Sequence, residues 1–230
     1  MPKNYAIILA AGSGSRMGDF KPKAFLKLKE LYILEYSIIQ FSKTDAIDHI
    51  ILVIPKEYKN FTEDLILEKK YVKVSQVLVG GQNRFESSRK GLTSIKAPNS
   101  RVLIHDAARP LISQDIIEKC LLSLNSFEAV NVLSPVTDSL VQLYEGKIIS
   151  SVNREEYRQV QTPQGFLIST INEAHKLALK ENLENITDDY HLVLKYKTGT
   201  STWIEGSRLN FKITFPKDLE LASLITDHWK

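Results

Sequence analysis

Short apolar runs bounded by turn-forming residues recur along the chain, at Tyr5–Ala10, His49–Ile54, Lys73–Val79, Arg101–His105 and Glu128–Leu133. Each is mostly β-branched or aliphatic, as a strand buried on both faces requires. Between these runs the apolar positions return at helical spacing. Leu31, Leu34, Ile38 and Phe41 fall on one helical face, and Ile116, Ile117, Cys120, Leu121 and Leu124 on another, behind a candidate N-cap at Ser113. Alternation of the two periods predicts an α/β fold with a mostly parallel sheet and crossover helices. Cys120 then reads as core packing.

The alternation fails once, over 139–150, where two β-rich runs flank the turn-prone pair Glu145-Gly146. This predicts a hairpin. It interrupts a βα pattern and reads as a projecting arm, a lid or a dimer contact, against the plainer alternative of an edge hairpin. Beyond it the sequence predicts a turn at Thr162-Pro163-Gln164-Gly165, helices near Ser169–Lys180 and Asp188–Lys195, strands near Ser201–Ile204 and Leu209–Ile213, and a last helix starting near Pro216. No repeat or low-complexity tract is present.

Composition narrows the class. With 230 residues, 43% hydrophobic and 25% charged, the chain is long enough to bury a sizeable core and ordinary for a globular protein. The net charge of +3, with its lysines dispersed, argues against a nucleic-acid footprint. The N-terminal apolar run, Ala6 to Ala11, is too short for a secretion signal, and no stretch reaches the ~18 apolar residues of a membrane span. The single cysteine forbids an internal disulfide and is compatible with a reducing cytoplasm.

Five of the ten glycines lie in two clusters, Gly12, Gly14 and Gly18, and the pair Gly80-Gly81, each directly after an expected strand. At the carboxyl end of a parallel strand, glycines let successive backbone N–H groups converge on an anion, usually phosphate. The loop Ala10-Ala11-Gly12-Ser13-Gly14-Ser15-Arg16-Met17-Gly18 is neither the dinucleotide fingerprint, which needs glycine at Met17, nor a P-loop, which needs G-K-[ST]. It carries Arg16 instead, and Lys23 follows in a proline-stiffened Lys21-Pro22-Lys23. Two cations beside a phosphate cradle suit a phosphoryl-transfer transition state.

These segments are similar to the signature of sugar-phosphate nucleotidyltransferases. Gly80-Gly81-Gln82-Asn83-Arg84-Phe85-Glu86-Ser87, His105-Asp106-Ala107-Ala108-Arg109-Pro110 and Thr162-Pro163-Gln164-Gly165-Phe166 resemble the 2-C-methyl-D-erythritol 4-phosphate cytidylyltransferases and the closely similar ribitol-5-phosphate cytidylyltransferases. The resemblance implies a doubly wound, Rossmann-like nucleotidyltransferase domain over 1–230, with an inserted hairpin arm over 136–158 that interlocks two subunits of a homodimer. It implies that Ala10, Ala11, Gly12, Ser13 and Gly14 hold the CTP triphosphate, and that Gly81, Gln82, Arg84 and Ser87 face the cytosine and ribose, with Asp106 and Ala107 at the fourth strand's end. A Ser87 hydroxyl beside a Gly-Gly turn can read the edge of a small pyrimidine. Asp106 is the carboxylate expected near a Mg²⁺ carried mainly by the nucleotide. Arg16 and Lys23 would neutralise the α-phosphate. Arg154 and Lys212 would hold the acceptor's phosphate, and Arg109, Ser139, Thr162 and Thr187 would line the polyol site. His105 is expected to bond locally rather than act as a base, since the attacking phosphate is already anionic.

The sequence departs from the family pattern at Asn153, usually aspartate, at Asp188-Asp189-Tyr190-His191 and at Phe215-Pro216-Lys217-Asp218. All flank the acceptor side. One methyl separates the two candidate acceptors, a difference of ~1–3 kcal/mol in a pocket. The sequence therefore predicts a cytidylyltransferase with 2-C-methyl-D-erythritol 4-phosphate as first acceptor and ribitol 5-phosphate as the alternative. A noncatalytic nucleotide sensor is the rival from another class.

Overall fold

The structure is a computed structural model that describes residues 2–12, 21–183 and 186–226. Its strands are β1 (Asn4–Leu9), β2 (Lys27–Leu28), β3 (Leu31–Tyr32), β4 (His49–Ile54), β5 (Val74–Val79), β6 (Arg101–Asp106), β7 (Ala129–Pro135), β8 (Leu140–Tyr144), β9 (Lys147–Val152), β10 (Arg158–Leu167) and β11 (Ser201–Glu205). Its helices are α1 (Ile33–Lys43), α2 (Lys59–Lys69), α3 (Arg84–Ser94), α4 (Gln114–Ser123), α5 (Ile168–Lys180), α6 (Asp189–Tyr196) and α7 (Pro216–Thr226). The central sheet runs β11-β7-β10-β6-β1-β4-β5. Every pairing in it is parallel except those of β10, which runs antiparallel between β6 and β7.

The period of two along each strand divides the core into layers. On β1, Ala6 and Ile8 pack with Leu34, Ile38 and Phe41 of α1 and with Ile116, Ile117 and Cys120 of α4. Ile7 and Leu9 point the other way, toward Leu92 of α3, Ile171 and Ala174 of α5 and Leu192 and Val193 of α6. β4 divides likewise, with Ile50, Leu52 and Ile54 on the first side and Ile51 and Val53 on the second. Two-sided burial is why these strands read as continuous apolar runs. A third cluster of Leu28, Ile33, Leu111, Ile213 and Ala222 fixes α7 and the segment before it beside the sheet.

Two expectations need correction. Thr162–Gly165 is not a turn but lies inside β10, where the register against β7 shifts between Gln161 and Gly165. Strand neighbours on both sides override the turn signal, and the bulge accommodates a Pro163 that has no N–H to give. The segment Leu209–Ile213 is not a strand. It crosses the sheet's carboxyl ends, held by Asn210, whose Nδ2 donates to the Thr162 carbonyl at 2.9 Å, and by the Ile213 N–H, which donates to the Ala108 carbonyl at 2.8 Å.

The run 139–150 does form a hairpin. β8 and β9 pair only with each other, as a separate two-stranded sheet. Both turn residues have positive φ, Glu145 at 47° and Gly146 at 77°, the backbone of a turn whose twist matches that of the strands.

Candidate active site

β1 stands between β4, toward which the chain winds first, and β6, to which it returns afterwards. Such a switch of direction opens a crevice at the strands' carboxyl ends. Here the crevice is a cleft of about 390 Å³. Its walls come from the end of β1 (Ala10, Ala11, Gly12), from Lys23, from the turn after β5 (Gly81, Gln82, Arg84, Ser87), from the end of β6 (Asp106, Ala107) and from Lys212. Eleven positions singled out in the sequence thus meet in one place. Ser13, Gly14 and Arg16 lie outside the described residues.

Close packing explains the second glycine pair. A Cβ on Gly80 would collide with that of Ala11, and one on Gly81 with that of Glu86. Asn83 caps α3 by accepting from the Glu86 N–H at 2.9 Å. The Ser87 hydroxyl donates to the Asn83 carbonyl at 2.9 Å and accepts from the Gly81 N–H at 3.0 Å. It shapes the turn from within the loop.

Lys23 sits in a single 3₁₀ turn, Lys23–Phe25, whose Phe25 is buried and stacks on Tyr58 with ring centroids 4.0 Å apart. Its ammonium donates to the Thr214 carbonyl at 2.9 Å. Lys212 follows from the pinned segment before α7, and its Nζ meets Asp106 Oδ2 at 2.6 Å. Arg84 Nε holds Oδ1 of the same carboxylate at 3.1 Å. Burial alone would raise the Asp106 pKa, but Arg84 and Lys212 outweigh it and hold the carboxyl well below its ordinary range.

Beneath this carboxylate the Thr162 hydroxyl accepts the Asp106 N–H at 3.0 Å and lies 3.1 Å from His105 Nδ1. That hydroxyl therefore gives its proton to Nδ1, and Nε2–H, 3.2 Å from the Arg109 carbonyl, is the donor on the other side. Burial, partly opposed by Asp106, lowers the His105 pKa to about 4. The ring is neutral at pH 7 with both nitrogens engaged, so it is a support and not a base. Thr162 was expected to line the polyol site. It is buried instead, with its hydroxyl bonded to the backbone of Asp106, because it lies in β10.

A second cleft, also about 390 Å³, adjoins the first through Lys212. Arg109, Arg208, Ser134, Thr137, Gln159 and Gln161 line it. Arg109 donates to the carbonyls of Asn210 at 2.9 Å and Val160 at 3.2 Å. Ser139, Arg154 and Thr187 line neither cleft of the single chain. Ser139 and Arg154 flank the arm, where Arg154 Nη1 donates to the Thr137 carbonyl at 2.6 Å. Thr187 is exposed just before α6, where its hydroxyl donates to Asp188 at 3.2 Å.

Two functional candidates escaped the sequence. Arg208 lines the second cleft but sits between two expected strands, in no motif that marks it. Asp189 is completely buried behind Arg84. Burial pushes its carboxyl up, and Arg84, His175 and Ser88 more than reverse this, to about 2. The only trace in the sequence is the acidic doublet Asp188-Asp189 at a helix start. Asp188 accounts for the cap by accepting from the His191 N–H at 3.0 Å. Nothing in the pattern explains the second acid.

A crevice at the switch point of a doubly wound sheet, with Lys23 in its wall and with Lys212 and Arg84 gripping one carboxylate, is the site of a nucleotidyltransferase. The family model of 2-C-methyl-D-erythritol 4-phosphate cytidylyltransferase (IspD) matches residues 5–228, and the chain belongs to that family. It is a cytidylyltransferase that joins CTP and 2-C-methyl-D-erythritol 4-phosphate into the CDP-polyol, with release of pyrophosphate. The 2-C-methyl-D-erythritol 4-phosphate cytidylyltransferase of Clostridium novyi is 38% identical over 233 residues, covering 100% of this chain and 99% of that one. The bifunctional ribulose 5-phosphate reductase/CDP-ribitol pyrophosphorylase Bcs1 of Haemophilus influenzae is 36% identical over 225 residues, covering 96% of this chain but 47% of Bcs1. This chain thus spans about half the length of that relative. Among solved structures, the 4-diphosphocytidyl-2C-methyl-D-erythritol synthase of Anaerococcus prevotii superposes with a TM-score of 0.85 at 27% identity, over 98% of this chain and 99% of that one.

Proposed function

We propose that CTP occupies the cleft at the switch point and the acceptor the adjoining one, with Lys212 at their junction. The triphosphate rests on the backbone of Ala10, Ala11, Gly12, Ser13 and Gly14. Gly81, Gln82 and Arg84 face the cytidine, and Ser87 holds their turn in shape. An oxygen of the acceptor's phosphate attacks the α-phosphorus and forms the new P–O bond. The bond from that phosphorus to the bridging oxygen of the β-phosphate breaks, and pyrophosphate leaves with the electron pair. No proton moves, so no base is needed. Arg16 and Lys23 neutralise charge gathering on the α-phosphate, and Lys212, Arg109 and Arg154 orient the acceptor's phosphate. The carrying observation is the convergence of Ala10, Ala11 and Gly12, the turn at Gly81, Lys23, Asp106 and Lys212 on one cleft.

The donor set also fits a magnesium ion carried by the nucleotide. Among the described residues no group of three or more His, Cys, Asp or Glu side chains gathers to cage a metal. Among the described residues Asp106 is the one carboxylate lining the cleft, a hard oxygen donor suited to a single contact with a hydrated ion. Such an ion, when bound, would supply positive charge to the triphosphate, with Asp106 the residue that would hold it.

The arm supports a homodimer. Leu143 on β8 and Ile148 on β9, register partners on one face of the hairpin, are each more than half exposed, an apolar face that a second copy would cover. Arg154 at the arm's base, with Ser139, then completes the neighbour's acceptor cleft. No helix among the described residues is long and apolar enough to cross a membrane, and Cys120 is an unpaired buried thiol, in keeping with the cytoplasm as the site of action.

Pyrophosphate release, measured with CTP, Mg²⁺ and a panel of polyol phosphates, tests the assignment. Methylerythritol phosphate is expected to give turnover. Release with ribitol 5-phosphate alone would move the acceptor to the chemistry named for the Haemophilus relative. CTP binding without turnover on any acceptor would leave a nucleotide sensor.

A further inference from the structure

Behind the cleft runs a line of four charges of alternating sign. Lys212 Nζ meets Asp106 Oδ2 at 2.6 Å, Asp106 Oδ1 meets Arg84 Nε at 3.1 Å, and Arg84 Nη1 meets Asp189 Oδ2 at 2.6 Å. The line starts at a partly exposed lysine and ends on a carboxylate that solvent does not reach.

Asp189 is held from every side. Its other oxygen accepts from the Ser88 hydroxyl at 2.6 Å and lies 2.8 Å from His175 Nε2, and its N–H donates to Gln164 Oε1 at 3.1 Å. The His175 ring stacks on Phe85 with centroids 4.6 Å apart, and its buried Nδ1 has no partner. The Nε2–H is thus the edge of the ring that pairs with the carboxylate. Helix α3 supplies Arg84 and Ser88, α5 supplies His175 and β10 supplies Gln164, so Asp189 on α6 cannot shift without moving several elements.

Burying an arginine and an aspartate costs several kcal/mol per ion, and a well-packed apolar pair stabilises a core at least as well. What an apolar pair cannot do is fix a guanidinium in one plane. Arg84 here uses two edges, one on the buried anion and one on the carboxylate facing the cleft. We propose that Asp189, held by Ser88 and His175, is a positioning residue: it orients Arg84, through Arg84 the Asp106 carboxylate, and so sets where Lys212 stands between the two substrates. The inference rests on the role of Lys212 proposed above.

A double-mutant cycle tests it. Asp189→Asn keeps the side chain's shape and an acceptor oxygen but removes the charge that holds Arg84. In the folded variant, kcat/KM for the acceptor is expected to fall about 10- to 100-fold. In a Lys212→Ala background the same change should cost less than about threefold, because its effect passes through Lys212. Ser88→Ala, which removes one bond to the same carboxylate but leaves its charge on Arg84, should lower kcat/KM for the acceptor by less than Asp189→Asn does, and a loss as large as that of Asp189→Asn would overturn the part given to the charge on Arg84. Losses that simply add in the double variant would overturn the positioning role alone. Full turnover of Lys212→Ala by itself would overturn the role of Lys212, and this inference with it. If Asp189→Asn does not fold, Arg84→Lys, which keeps a cation but cannot bridge two carboxylates, carries the same cycle with the same two outcomes.

Discussion

The floor of the nucleotide cleft and the hairpin arm are both built from short β-rich segments joined by turns containing glycine, yet they finish their contacts in opposite ways. At the floor, the described groups are tied within the chain: Asp106 by Arg84, Lys212 and Thr162, the Gly81 turn by Ser87, and His105 on both nitrogens. On the arm, β8 and β9 bond only to each other and leave their apolar side chains facing outward. A region preorganised inside one chain can serve a triphosphate by itself. The arm's uncovered apolar side chains are where the proposed second copy would sit, with Arg154 at the arm's base.

The sharpest way to break this contrast is at the floor. Lys23→Ala is expected to lower turnover about 10²- to 10³-fold, the scale of removing one preorganised contact to developing charge, while CTP binding stays measurable by calorimetry. Undiminished turnover would remove Lys23 from the chemistry. Replacing 140–152 by a short glycine linker should abolish dimer and activity together, read by light scattering and pyrophosphate release. An active monomer would show that the arm adds nothing to the acceptor cleft.

Acid should strike the floor before it touches the arm. His105 has a folded pKa of about 4 against an ordinary 6.5, so between these values the unfolded chain takes up the proton first. Its contribution is complete above pH 6.5 and declines as pH falls toward 4, by up to about 3 kcal/mol. Urea midpoints across that range should fall, and His105→Gln should flatten the slope; an unchanged slope would mean that the ring is not the group responsible. Asp189, depressed to about 2, adds its loss only below about pH 4. The smallest effect is expected at Cys120, whose burial pushes the thiol up. Alkylating reagents at pH 8 should leave it unmodified in the native protein, and rapid labelling would show that the α4 layer opens.

Much of the fold was legible because two-sided burial leaves a plain record. The runs at Tyr5–Ala10 and His49–Ile54 could not be amphipathic helices, and Glu145-Gly146 has the residues a tight hairpin turn needs. The failures have a common cause. Thr162-Pro163-Gln164-Gly165 carries turn residues, but β6 and β7 flank it on both sides and recruit it as a strand. Leu209–Ile213 alternates like a strand, but Asn210 and Ile213 pin it across the sheet where no ladder is available. Asp189 shows in the sequence only as the second acid of a doublet at a helix start. Its partner Arg84 lies 105 residues away, and no local pattern reports such a pairing.

The amino-acid sequence by itself determined the alternation of strands and helices, the two glycine turns and the cations beside the first of them, because each rests on neighbours within about a dozen positions. Only the tertiary structure decided that Lys23 and Lys212 reach one cleft, that Thr162 and His105 support Asp106 from below, and that Asp189 anchors Arg84. Those relations join residues from separate strands and helices, and packing around the sheet alone brings them within bonding distance.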